Sequence, residues 1–287
     1  MHTQHNIKLI ECPRDAMQGW SHFIPTEKKI EYINCLLQVG FDTIDFGSFV
    51  SPKAIPQMAD TQDVLKKLNL DNSVSKLLAI IANIRGAEEA VHYEQINYLG
   101  YPFSVSETFQ QRNTNASIND AFEQLKQVQN LCLKYKKELV VYISMGFGNP
   151  YGDPYQEEIV LEWAQKIAAL EIKTISLADT VGLASSKQVG SLTQQLINSL
   201  PQIEIGVHLH STVDNWKGKL DAALDAGCLR VDGALKGIGG CPMAGNDLVG
   251  NMNTELMLPY LKNKGLLSEI NQEALSQSIS LASEIFV

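Results

Sequence analysis

The sequence has few cysteines, and they follow no spacing that suits a disulfide framework or a structural zinc site. The chain of 287 residues contains five cysteines, which is an odd number, and no CxxC pair occurs. We therefore expect any cysteine function to be individual. The five are Cys12, Cys35, Cys132, Cys228 and Cys241.

Long apolar runs and low-complexity tracts are also absent. No stretch of 18 apolar residues occurs, although 45% of the residues are hydrophobic, so the sequence predicts a globular core and no membrane partner. The first residues, MHTQHNIKLIECPRD, show neither a signal peptide pattern nor an Arg-rich amphipathic presequence. This pattern predicts a cytoplasmic protein.

Basic residues are outnumbered, with 23 Lys and Arg against 32 Asp and Glu and a formal net charge of −9. Nucleic acids and anionic membrane surfaces are bound through a basic footprint. Neither is therefore expected as a partner. A small anionic ligand stays compatible with this charge, because a few local basic groups or a metal ion can hold it.

The sequence does contain a recurring unit, in which an amphipathic helix pattern is followed by a short β-rich run, as in VLEWAQKIAALE before IKTISLAD. Eight such runs alternating with helices predict parallel strands joined by right-handed crossovers. They fit a closed (β/α)₈ TIM barrel better than an open sheet, whose Gly-rich dinucleotide fingerprint is missing after the first run. The runs are IKLIE (7–11), FDTIDF (41–46), KLLAIIA (76–82), INYLGY (96–101), LVVYIS (139–144), IKTISLAD (172–179), IEIGVHL (203–209) and CLRVDGAL (228–235).

No Pro-, Ser- or Gly-rich linker divides the chain. We expect one α/β domain over residues 1–287. The barrel covers about residues 7–262, and a short helical C-terminal extension, which includes NQEALSQSISLASEIF, covers about 263–287.

Polar side chains recur where the predicted strands end, and sites on this fold lie at the carboxyl ends of the strands. The pattern therefore predicts a polar ring around a site. Among its members and their neighbours we predict five substrate-binding residues, namely Gln18, Ser48, Ser144, Asp179 and Thr180.

His208 and His210 lie two residues apart in VHLH. Side chains alternate across a strand, so both histidines face the barrel interior while Val207 and Leu209 face the helices. Two ligands on one side of a metal ion would have this arrangement. Two structural histidines would have it too, and the spacing alone leaves both interpretations open.

Further candidates are an acidic and basic pair after the first strand, an inward carboxylate on the second, and a loop near the eighth. Asp15 and Arg14 follow Pro13, and Asp45 needs a partner in the barrel interior, for which Arg14 is the candidate. Cys241 lies in a Gly-rich loop that could deliver its thiol to the site.

Asn251 closes that loop and is either a metal ligand or a helix N-cap. Two imidazoles, one carboxylate and one amide oxygen suit a six-coordinate Mg²⁺ or Mn²⁺ better than a tetrahedral zinc ion. If the histidines bind a metal ion, the predicted cofactor is therefore Mg²⁺ or Mn²⁺, with Asp15, His208, His210 and Asn251 as the candidate ligands.

Five motifs together resemble the 3-hydroxy-3-methylglutaryl-CoA (HMG-CoA) lyase family, within the metal-dependent Claisen and aldol TIM barrels. They are PRDAMQ (13–18), SFVSPKAIPQMADT (48–61), ISLADTVGL (175–183), VHLH (207–210) and GIGGCPMA (237–244). The resemblance implies cleavage of an acyl-CoA thioester, HMG-CoA, to acetyl-CoA and acetoacetate. It also implies the metal ligands named above and a homodimer or larger assembly.

The resemblance further implies a catalytic set of Arg14, Asp15, Asp45, His208 and Cys241. Arg14 would stabilise the enolate oxygen of the departing acetyl thioester, Asp45 stands where the family usually has Glu, and Cys241 would transfer a proton. Lys53, Lys217 and Lys219 are candidate contacts of the coenzyme.

The chain departs from the family pattern around Cys12 and Ala16, and at Ser211 and Asp214, where the family usually has Asp and Gly. These changes concern the acyl-group pocket. They leave open a lyase for another 3-hydroxyacyl-CoA, a condensing relative of the isopropylmalate, citramalate or homocitrate synthase type, and a non-catalytic CoA-thioester binder.

Overall fold

The computed structural model describes residues 6–240 and 249–287. Eight parallel strands close into a barrel in chain order, and each pairs with the next along the chain, the eighth returning to the first. This confirms the predicted TIM barrel. The strands are β1 (Lys8–Glu11), β2 (Thr43–Ser48), β3 (Lys76–Ile80), β4 (Ile96–Ser104), β5 (Glu138–Ser144), β6 (Thr174–Asp179), β7 (Glu204–Leu209) and β8 (Arg230–Gly233).

Helices follow the strands and bury one face against the barrel wall. They are α1 (Pro13–Gln18), α2 (Thr26–Leu36), α3 (Thr61–Leu65), α4 (Ile84–Ala90), α5 (Glu107–Thr114), α6 (Ile118–Tyr135), α7 (Glu157–Ala168), α8 (Ser186–Ser199), α9 (Trp216–Asp225), α10 (Thr254–Asn263) and α11 (Gln272–Ile285). Short 3₁₀ helices cover Pro56–Met58 and Leu235–Gly237.

The predicted C-terminal helix is α11, which begins after Asn271, whose side chain accepts from two backbone N–H groups of the first turn. The helix packs against α2, and Phe286 beyond it meets the rings of Trp20 and Tyr32 edge to face. The division into a barrel of about residues 7–262 and a tail of about 263–287 stays a prediction.

Inward and outward side chains alternate along the strands. The main core lies between strands and helices, while a second, separate apolar cluster comprises Leu78, Tyr98, Val140 and Tyr142. Polar side chains near it include the buried Asp45 and Asp232 and the partly buried His208. The barrel therefore holds charged groups close to its carboxyl end, where the strands of this fold position a site.

Within the described residues, no helix is long and apolar enough to cross a bilayer.

Candidate active site at the carboxyl end of the barrel

A cavity of about 420 Å³ opens at the carboxyl end of the strands. Its volume lies in the range usual for small-molecule sites. Its floor carries four of the predicted residues, Arg14, Asp15, His208 and His210, and the cavity extends outward along α5 to Arg112.

Arg14 and Asp15 belong to α1, a six-residue helix that begins directly after β1 with Pro13 in its first turn. Proline suits this position because its fixed φ is that of a helix and it lacks an N–H that would need a partner. The short helix turns both side chains over the barrel mouth, and both are buried.

The Arg14 guanidinium joins two carboxylates. Its Nε lies 3.0 Å and its Nη2 2.5 Å from Asp45 Oδ2, and its Nη1 lies 2.9 Å from Asp15 Oδ1. The partner that the sequence suggested for Asp45 is therefore present. Bidentate pairing with Asp45 fixes the plane of the guanidinium.

Charge and burial act in opposite directions on the two carboxyl groups. Burial raises the pKa of Asp45 to about 6, although Arg14 opposes the shift. Burial also tends to raise the pKa of Asp15, but the charges of Arg14, His208 and His210 outweigh it and hold that pKa well below its usual range. Asp15 is therefore an anion at neutral pH.

Asp15, His208 and His210 bring their ligand atoms within 4.8 Å of one another. Asn251 forms a backbone bridge with His210, and its side-chain amide lies 2.7 Å from Asp15 Oδ2. The N-cap of α10 is Asn253, so Asn251 does not cap the helix. The four residues predicted as metal ligands thus lie together.

These residues fit a divalent cation. The buried Nδ1 of His210 has no hydrogen-bond partner in the described part of the chain. Burial, with a contribution from His208, lowers the pKa of His210 to about 4, so its imidazole is neutral and has a free lone pair. A carboxylate and two imidazoles facing one point are a common donor set for such ions.

The five predicted substrate-binding residues differ in position. Gln18, Ser48, Ser144 and Thr180 line the cavity. Gln18 donates to Asp15 Oδ1 at 2.8 Å, and the buried Oγ of Ser48 has no hydrogen-bond partner within residues 6–240 and 249–287. Ser48 is thus free to bond a ligand.

Asp179 is turned away from the cavity, and its position does not support the predicted contact with substrate. Ala178 and Thr180 on either side line the cavity, so alternation along β6 points Asp179 outward. There its Oδ2 lies 2.6 Å from Lys219 Nζ and its Oδ1 accepts from the Ala184 N–H at 3.1 Å.

Of the three lysines predicted to contact the coenzyme, two already have partners in the protein and one lies near the cavity. Lys219 is 1% exposed and is engaged by Asp179 and by the carbonyl oxygens of His210 and Gly182. Lys217 pairs with Asp221 at 2.7 Å. Lys53 is exposed beside Ala54, which lines the cavity, and only its position suits the role.

Cys241 lies outside the described residues, and its predicted role in proton transfer stays a prediction.

Cys12, one of the positions at which the chain departs from the family pattern, is fully buried at the end of β1. Its Sγ lies within 4.8 Å of the ligand atoms of His208 and Asp232. Burial raises the pKa of this thiol, so it stays neutral.

The sequence analysis missed Asp232. This residue on β8 is 1% exposed and its Oδ2 lies 3.1 Å from His208 Nδ1. Alternation along RVDGAL could have found it, because Arg230 and Asp232 share the inward face of β8.

The fold and the donor set define the class, a TIM-barrel enzyme whose site could hold a divalent cation. The sequence model named HMGL-like matches residues 6–281. The chain belongs to the HMGL-like family, and it is a hydroxymethylglutaryl-CoA lyase-like enzyme.

Individual relatives agree with this assignment. The chain is 34% identical to a hydroxymethylglutaryl-CoA lyase of Bacillus subtilis, with 92% of this chain and 87% of the relative covered. It is 31% identical to the mitochondrial hydroxymethylglutaryl-CoA lyase of Mus musculus, with 95% and 83% covered. An HMG-CoA lyase from Acinetobacter baumannii, solved in complex with coenzyme A and 3-methylmalate, superposes with a TM-score of 0.90 at 30% identity, with 99% of this chain and 93% of that one covered.

Proposed function

We propose that the protein cleaves 3-hydroxy-3-methylglutaryl-CoA to acetyl-CoA and acetoacetate, with Mg²⁺ or Mn²⁺ as cofactor. The observation that carries the proposal is the placement of Arg14, fixed by Asp45, beside the donors of Asp15, His208 and His210 on the floor of one cavity. The names of the relatives support the same substrate.

This reaction makes two demands on a site. The tertiary hydroxyl of the substrate must lose its proton, and the enolate of the acetyl thioester must be stabilised after the carbon–carbon bond breaks. A bound divalent cation acts as a Lewis acid, which lowers the pKa of a hydroxyl group. Oxygen and imidazole donors in one open site favour Mg²⁺ or Mn²⁺ for this role.

Arg14 is the residue that would stabilise the enolate of the acetyl thioester. A guanidinium has five N–H groups, and the contacts with Asp45 and Asp15 occupy the Nε group and one group on each terminal nitrogen. One N–H on Nη1 and one on Nη2 therefore remain to bind the enolate oxygen. Because Asp45 fixes the guanidinium before the reaction, little reorganisation is needed when the charge develops.

The coenzyme would extend from this floor toward α5. Arg112 is exposed at that end of the cavity, where its guanidinium lies 4.6 Å from the ring centre of Tyr151. A cation there suits the phosphate groups of a CoA thioester. We assign Arg112, with Lys53, to binding the coenzyme and Ser48 to bonding an oxygen of the acyl group.

Cys241 is proposed to donate its thiol proton to the acetyl carbon after the carbon–carbon bond breaks, on the resemblance of GIGGCPMA to the family. We also propose a single domain, an assembly of two or more copies, and a cytoplasmic location, the last supported by a relative named as cytoplasmic. Size-exclusion chromatography with light scattering measures the assembly.

The test is an assay of the purified protein with Mg²⁺ or Mn²⁺ against a panel of 3-hydroxyacyl-CoA thioesters. We expect release of acetyl-CoA from 3-hydroxy-3-methylglutaryl-CoA, abolished by chelation and restored by the ion. Cleavage of a different thioester in the panel would identify that thioester as the substrate instead. The changes at Ser211 and Asp214 concern the acyl-group pocket of the family pattern. Condensation of acetyl-CoA with a 2-oxo acid as the sole activity would contradict the proposal.

A further inference from the structure

Asp232 lies level with His208 inside the barrel. Val207 on β7 pairs with Val231 on β8, so the residues that follow them, His208 and Asp232, come side by side on the inward face. On the other side Asp232 pairs with Ile10 of β1. The backbone of three strands therefore fixes where this carboxylate lies.

The hydrogen bond between them determines the tautomer of the histidine. His208 Nδ1 lies 3.1 Å from Asp232 Oδ2. A carboxylate accepts but does not donate, so Nδ1 must carry the hydrogen. Nε2 is then the ring nitrogen that His208 can offer to the cluster with Asp15 and His210.

Its contacts compensate only part of the cost of burying Asp232. A buried carboxylate is costly unless it is paired and hydrogen-bonded. The charge of Arg230 attracts Asp232, but Arg230 makes its ion pair with Glu204, at 3.9 Å, and Oδ1 of Asp232 has no hydrogen-bond partner among the residues the structure describes. A costly group in contact with a metal-ligand candidate points to a function for that contact.

The ring of His208 is also restrained from the side. Tyr142 meets it edge to face, with ring centres 5.8 Å apart, and the ring centre of His210 lies 5.4 Å away. Packing of this kind limits the tilt of the ring but does not choose which nitrogen faces the cavity. That choice depends on Asp232.

We propose that Asp232 is a positioning residue, whose carboxylate holds the imidazole of His208 in the tautomer and orientation that present Nε2 to the divalent cation. Carboxylates that accept from a metal-ligand histidine act in this way in many metal sites, and their loss typically lowers metal affinity about 10–100-fold. The inference rests on the proposed function in that it takes His208 as a ligand.

The experiment titrates Mn²⁺ into the metal-free purified protein and follows the electron paramagnetic resonance signal of the free ion. Asp232→Ala removes the acceptor, and Asp232→Asn keeps an oxygen acceptor of the same shape without the charge. Ser176→Ala is the matched control, because Ser176 is fully buried on the barrel-facing side of β6 and its Oγ has no partner in the described ranges. Thermal unfolding without the ion records whether each variant folds.

We expect Asp232→Ala to weaken Mn²⁺ binding about 10–100-fold, Asp232→Asn to weaken it less, and Ser176→Ala to leave it unchanged. Equal losses for Asp232→Asn and Asp232→Ala, or parental affinity in both, would overturn the positioning role. If the parent protein itself does not bind Mn²⁺, the proposed metal site fails instead, so the two failures are told apart. Because Asp232→Asn is isosteric, the comparison with the parent holds even if Asp232→Ala does not fold.

Discussion

Replacing Arg14 by methionine tests the proposed chemistry most directly. The substitution keeps an unbranched apolar side chain in α1 but removes the two N–H groups that Asp45 and Asp15 leave free and that the proposal assigns to the enolate oxygen. Loss of one preorganised donor to a developing oxyanion typically costs about 10²–10³ in rate, or about 2.7–4 kcal/mol. Two donors are lost here, so we expect kcat to fall by at least this factor.

The same substitution leaves Asp45 and Asp15 without their shared cation. Asp45, whose pKa burial already raises to about 6, would then take up a proton near neutral pH instead of remaining an unpaired buried charge. The fold therefore survives with reduced stability, which circular dichroism and urea unfolding would show.

The assay measures acetyl-CoA release at saturating divalent cation and separates kcat from KM. Arg112→Met is the matched control, an arginine lost from the outer end of the same cavity. It should raise KM and leave kcat nearly unchanged, since it removes binding that ground state and transition state share. A folded Arg14→Met protein with near-parental kcat would refute the role of Arg14.

Three further predictions concern residues around the site. Burial raises the pKa of Glu11 to about 8 in the folded protein. Between about pH 5 and 8 the folded state therefore holds a proton that the unfolded state has released. The free energy of unfolding should fall as pH rises through this range, by at most about 1.4 kcal/mol per pH unit. Urea titrations of Glu11→Gln should lack this slope. Lys219→Met leaves Asp179 as a buried unpaired charge, so the free energy of unfolding measured in urea should fall by about 3–5 kcal/mol. The double variant that also carries Asp179→Asn should recover part of this loss. An unchanged urea midpoint in Lys219→Met would show that the ion pair does not stabilise the fold. Cys241→Ala should lower kcat about 10²–10⁴-fold if the thiol moves the proton, and normal turnover would remove Cys241 from the mechanism.

The strands and the two histidines were predictable because each rests on a local rule. Eight β-rich runs alternating with helices have few ways to form a sheet, and the strands lie where those runs are. Alternation along VHLH put both histidines on the inward face, next to Asp15. The pairing of Arg14 with Asp45 followed from the need of a buried carboxylate for a cation.

The predicted contacts that the structure does not support depend on side-chain direction and on packing between elements. Asp179 was counted in the polar ring by its position at a strand end, although its neighbours Ala178 and Thr180 are those that line the cavity. Lys219 could not be placed from sequence, because its burial depends on the helix α9 packing over the end of β6. Alternation along β8 places Asp232 on the inward face, but its contact with His208 needed the register between β7 and β8, which no single strand reveals.

The charges on the cavity floor have a consequence for the order of binding. Arg14, Asp15, Asp45 and Asp232 sum to a formal charge of −2, and the imidazoles of His208 and His210 add none when they are neutral. This charge repels an anionic acyl-CoA thioester, whereas a bound divalent cation would bring the sum to zero. Because the charges lie in a buried site where screening is weak, we expect the divalent cation to bind before the substrate. The carboxylates around the proposed metal site would then also oppose binding of the substrate to the metal-free protein.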